Sequence, residues 1–115
     1  SHVYYVYPII INKKINRKKL FNILNKLGVQ GLSEGYQLLH KLPMYQKKIA
    51  LGKKGFPWNM SKRKYDYKNN RLHVAEELHN KTFLSFEICL YELNDIDIQK
   101  IYRCFERAWK ILKII

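Results

Sequence analysis

The strongest constraint on the fold lies at the end of the chain. Ile98, Ile101, Tyr102, Phe105, Ala108, Trp109 and Leu112 recur at the i, i+3, i+4, i+7 spacing of one helical face, while Lys100, Arg103, Arg107 and Lys110 fall on the other. Asn94 stands where an N-cap belongs, and Asp97, three residues on, completes a capping-box pattern. A helix with so broad an apolar stripe must pack against another layer, which the preceding residues have to supply.

Those residues alternate between strand and helix periods. Residues 3–11 (VYYVYPIII) are β-branched and aromatic, which predicts a strand buried on both faces or nearly so, with Pro8 pointing to an edge position or a bulge. Leu20, Ile23, Leu24 and Leu27 then mark an amphipathic helix, with Asn16 as N-cap and Gly28 as its stop. Its first turn holds Arg17, Lys18 and Lys19, where the helix dipole disfavours cations. Either an anionic neighbour or plain solvent exposure accounts for that conflict. Residues 29–36 read as a short strand or extended segment, and 42–50 as a brief helical turn. Residues 74–81 read as a short acidic helix with Val74, Ala75 and Leu78 inward, and the alternation over 83–89 as a strand with one well-buried face. The order predicts a single α/β (α+β) domain over residues 1–115, a two-layer sandwich of a small, mostly antiparallel sheet with helices against one face.

The hydrophobic content of 47%, with 14% aromatic residues, is that of a folding chain. No apolar run approaches the roughly 18 residues of a spanning helix, and the basic and apolar stretches at the N-terminus come in the wrong order for a signal peptide. A soluble, cytoplasmic protein with no membrane partner is expected. Cys89 and Cys104 lack metal-ligand spacing and read as reduced thiols. Ser1-His2-Val3 runs straight into strand-like sequence, as in a domain excised from a longer protein.

The 22 Lys and Arg against 9 Asp and Glu give a net charge of +13. That surplus fits a lysine-rich surface, an anionic ligand such as a nucleotide pyrophosphate, or nucleic acid, the last being the less favoured partner. The irregular stretch 53–71 mixes Phe56, Trp58, Tyr65 and Tyr67 with basic residues, as a single-stranded nucleic-acid platform or a partner-anchoring loop would.

The segment from Gly28 to Tyr45 is the most patterned. Three glycines in eight residues let the backbone reach positive φ or approach another surface closely, and Pro43 punctuates the path. Tyr36 and His40 are polar groups at the end of that path. No phosphate loop, dinucleotide fingerprint, nucleophile elbow or zinc signature accompanies them, so neither catalytic nor metal residues are assigned.

Four blocks, in order, carry a resemblance: HVYYVYPIII; Arg17 through Gly28-Val29; EGYQLLHKLPMYQ; and VAEELHNKTFLSFEI followed by NDIDIQKIYRCFERAWKIL. Together they resemble the C-terminal small domain of DegT/StrS-type sugar aminotransferases, pyridoxal-phosphate enzymes of fold type I. The resemblance implies a domain that is inactive alone. The large domain would hold pyridoxal 5'-phosphate, with no cofactor-binding residue in this chain. The parent protein would act on a nucleotide-linked keto sugar with an amino-acid donor, in amino-sugar or surface-polysaccharide biosynthesis, as a homodimer. It also implies Tyr36 and His40 as substrate-facing residues, with Tyr45 a third. The alternative for the first two is that Tyr36 packs at a strand end and His40 caps the following turn. His73 departs from the family, where a Pro often precedes the Val-Ala-Glu block. A basic nucleic-acid module and a protein-interaction module are the competing functions.

Overall fold

A computed structural model describes residues 5–114; residues 3 and 4 of the first predicted strand lie outside them. The chain forms two compact units, one made of Ser1–Gly35 with Asn80–Ile115 and the other of Tyr36–His79.

The first unit is mixed α/β. Strands β1 (Tyr7–Ile10), β2 (Leu32–Ser33) and β3 (Phe83–Phe86) form a three-stranded antiparallel sheet in the order β1-β3-β2. Phe86 faces both Tyr7 and Leu32 across the ladder, and Ser85 faces both Pro8 and Ser33. The period-2 pleat therefore puts Ile9, Leu84, Phe86 and Leu32 on one face. Helix α1 (Arg17–Lys26) packs against β3, and α4 (Asp95–Ile111) packs against α1. Leu20 and Leu24 from α1, Leu84 from β3 and Ala108 from α4 are completely buried at their meeting point, with Ile11, Val29 and Phe86 around them.

The helix ends follow the sequence closely. Asn16 accepts the Lys19 N–H at 2.9 Å. At the other end of α1, the Val29 N–H reaches the Leu24 carbonyl and the Gly28 N–H reaches that of Asn25. Those two bonds define a Schellman motif around Gly28 at φ +89°. In α4, Asn94 and Asp97 exchange both bonds of the capping box.

In this unit two expectations need correction and a third is narrowed. Strand β1 is not buried on both faces: it is an edge strand, as Pro8 allows, with Tyr7 50% and Ile10 62% exposed. The 83–89 strand ends at Phe86, where the chain turns into a 3-10 segment, Ile88–Leu90, that leaves Leu90 exposed. The segment predicted over 29–36 pairs only at Leu32–Ser33, because Gly31 and Gly35 bracket it at φ +74° and +88°. A Cβ at Gly31 would lie 2.7 Å from the Tyr91 ring and one at Gly35 2.9 Å from Phe83, so both glycines serve positive φ and close approach together.

The second unit contains α2 (Pro43–Lys47), α3 (His73–Glu77) and two 3-10 turns, Leu39–Lys41 and Trp58–Met60. Pro43 occupies the first helical position, where its missing N–H costs nothing. Val74, predicted to face inward, is 74% exposed, because α3 lasts little more than one turn before giving way to the wider π turn Leu78–Thr82. Of Phe56, Trp58, Tyr65 and Tyr67, the last three pack on one another and on Tyr45, while Phe56 is exposed. Trp58 and Tyr67 meet Tyr45 edge-on at 5.8 and 5.4 Å, and Tyr65 stacks on Tyr67 at 5.9 Å.

Candidate functional site

His40 is the buried titratable side chain of the second unit. It sits in the Leu39–Lys41 turn, which closes because the Lys41 and Leu42 N–H groups bond back to the carbonyls of Leu38 and Leu39. Gln46 on α2 fixes that turn. Its side-chain amide donates to the His40 carbonyl and, at 3.0 Å, to the Tyr67 carbonyl. Tyr67 is held in turn, since its hydroxyl accepts the Trp58 indole N–H at 3.0 Å. The aromatic cluster thus works as scaffold, with Tyr45 in it.

The His40 side chain is 9% exposed, and its Nε2 lies 3.6 Å from Glu76 Oε1, too far for a hydrogen bond and with no other partner among the described residues. The Glu76 carboxylate, itself 16% exposed, is shared with Lys41 at 3.7 Å and Arg71 at 4.0 Å. These groups, with Gln46, Tyr67, Lys68 and Asn70, line a cavity of about 440 Å³. Three full cations, Lys41, Lys68 and Arg71, thus line the cavity with one carboxylate.

Asp66 shapes the wall that delivers two of those cations. Its carboxylate accepts the backbone N–H groups of Lys68 and Asn69 and the Asn69 side-chain amide. The Asn69 backbone bond, then its side chain, holds the Asp66 carboxyl below its ordinary value. The turn made in this way carries Lys68, Asn70 and Arg71 to the cavity.

Of the three residues singled out from the sequence, only His40 lines the cavity. Tyr45 touches the lining residue Tyr67 from behind, and Tyr36 is 73% exposed, outside the lining. Glu76 and Gln46 were not anticipated. Glu76 read as a helix-start carboxylate, and nothing in the local pattern pairs it with a histidine 36 positions earlier. Lys68 and Arg71 belong to the basic stretch 53–71, which did carry a signal.

The charge conflict at the start of α1 is resolved by solvent exposure for Lys18 and Lys19 and by an intramolecular partner for Arg17. Arg17 is turned inward, its side chain 10% exposed, with Nη2 2.8 Å from Glu34 Oε1 and Nη1 donating to the Phe83 carbonyl at 2.9 Å. The anionic neighbour is a carboxylate of the same chain.

Among the described residues, no group of three or more His, Cys, Asp or Glu side chains could hold a metal ion. A lysine that carries pyridoxal phosphate works desolvated, whereas of the lysines lining this cavity Lys41 has a 58% exposed side chain and Lys68 is exposed. Among the described residues no helix is long and apolar enough to cross a membrane. No family model, curated protein or solved structure matches the chain.

Proposed function

We propose that this chain is the small domain of a pyridoxal-phosphate-dependent nucleotide-sugar aminotransferase of the DegT/StrS type, and that it forms one wall of the keto-sugar nucleotide pocket. The four ordered sequence blocks support the family reading. The antiparallel sheet with α1 against it supports the finer architecture, a two-layer sandwich with helices on one face. The observation that carries the functional part is His40, a buried imidazole whose Nε2 faces a cation-rimmed cavity without a hydrogen bond.

In this reading His40 donates from Nε2 to an oxygen of the substrate, the exposed Tyr36 hydroxyl makes a second contact, and Tyr45 acts through the aromatic scaffold. The amino-group chemistry is supplied by the cofactor as electron sink in a large domain of the parent protein. This chain orients substrate and excludes water. Homodimerisation and a cytoplasmic location belong to the same proposal.

The test is His40→Ala in the longer protein that joins this domain to its cofactor domain. Turnover of a keto-sugar nucleotide should fall by about tenfold or more, the loss of one hydrogen bond to a charged or strongly polar group, while cofactor absorbance is unchanged. Unchanged turnover, or lost cofactor absorbance, would overturn the assignment.

A further inference from the structure

The second unit carries more charge chemistry than a hydroxyl-lined sugar contact needs. We infer that the His40 cavity is an oxyanion receptor that takes a phosphate or diphosphate group; this rests on the substrate-facing reading of the same cavity and specifies which part of the substrate enters it.

The donors are present and underused. His40 Nε2, a donor whenever it carries the ring proton, is buried without an acceptor in bonding range. Arg71 approaches Glu76 only through Nε, at 4.0 Å, which leaves its two-pronged terminal edge open. That edge is the geometry that suits a phosphate. Lys68 and Asn70, both exposed, also line the cavity. Of these donors His40 Nε2 is the buried one, and a buried donor is normally satisfied, so its lack of a partner beside the exposed Lys68, Asn70 and Arg71 points to a missing acceptor.

Charge favours the same ligand. Glu76 faces the cavity and opposes an anion, but Lys41 at 3.7 Å, Arg71 at 4.0 Å and Lys68 on the same lining outnumber it, and no hydrogen bond locks Lys41 or Arg71 to it. Lys41 and Arg71 are 58% and 74% exposed, so both can turn toward an entering oxyanion without disturbing packing. The surplus of cations over the single carboxylate matches a group of about two negative charges. A volume of about 440 Å³ admits a diphosphate, whereas a single bridging water would leave most of it open.

The whole chain is titrated with pyrophosphate, inorganic phosphate and a nucleoside diphosphate at constant ionic strength, following the His40 imidazole by NMR, with His40→Gln assigning the signal. A saturable shift at one site is expected, tighter for the two diphosphates than for phosphate. Affinity should drop about tenfold in Lys68→Gln and in Arg71→Gln, each removing one charge-assisted bond, and hold in Lys54→Gln, a basic residue outside the cavity. An unmoved His40 signal overturns the inference, as would equal weakening in Lys54→Gln, which would mean diffuse attraction to a basic surface. Pyrophosphate binding together with normal turnover of His40→Ala in the parent protein would keep the oxyanion site and refute the substrate-facing role of His40. The opposite pair of results would refute the site alone.

Discussion

The two units of this chain solve the same problem with different chemistry. In the unit built from residues up to Gly35 and from Asn80 onward, aliphatic burial organises everything, with Leu20, Leu24 and Leu84 at 0% exposure. In Tyr36–His79, none of the described residues is a buried apolar side chain; its order comes from half-buried rings, the Gln46 amide and the Asp66 turn. Burial is additive and non-directional, whereas a few directional bonds fix a site without filling a core. The contrast predicts a stable base and a unit that opens locally at lower free energy, which is the usual character of ligand-facing segments.

The largest effect should come from Leu24→Ala. Truncating a fully buried leucine costs about 2–5 kcal/mol, and denaturant unfolding should show that loss for the whole sheet-and-helix unit. A loss well under 1 kcal/mol would contradict the picture of an aliphatic core. Next comes Arg17→Met, which strands the Glu34 carboxylate and the Phe83 carbonyl; about 1–3 kcal/mol is expected, less than for a fully buried pair because the Glu34 side chain is 35% exposed. Glu34→Gln, which keeps an acceptor for the guanidinium, should lose less than Arg17→Met, and the reverse order would argue against the clamp.

Smaller effects belong to the second unit and sharpen the contrast. Tyr67→Phe deletes the acceptor of the Trp58 indole and should cost about 0.5–1.5 kcal/mol. Amide exchange should quicken within 36–79 and hold on β3 and α4; uniform quickening would mean that the two units open together. The smallest effect is acidic. The Asp66 carboxyl is held low in the folded chain, so its contribution to the turn is present at neutral pH and fades as pH falls through that lowered value. Protection of the Lys68 and Asn69 amides should therefore persist to below about pH 3.9, the ordinary aspartate value.

The same contrast explains what was legible in the sequence. Helices α1 and α4 were readable to their caps, because Asn16, Gly28, Asn94 and Asp97 encode the ends locally. Strand existence was readable and strand extent was not. The ladder at β2 is limited by glycines whose positive φ depends on the Tyr91 and Phe83 rings, far along the chain. The His40 cavity was half visible: a histidine on a punctuated path and a basic stretch stood out, but Glu76 and Gln46 enter through tertiary contacts that no periodicity records. The aromatics of 53–71 were conspicuous by composition, yet whether they faced outward or each other depended on Tyr45.

The most direct test of the central claim is the imidazole NMR spectrum of the whole chain during titration with a nucleoside-diphosphate sugar. A substrate-facing His40 predicts a saturable shift of its signal, with affinity weakened about tenfold in Arg71→Gln, while the exposed His73 stays in place. A His40 signal that does not move, or one that moves no more than that of His73, would contradict it.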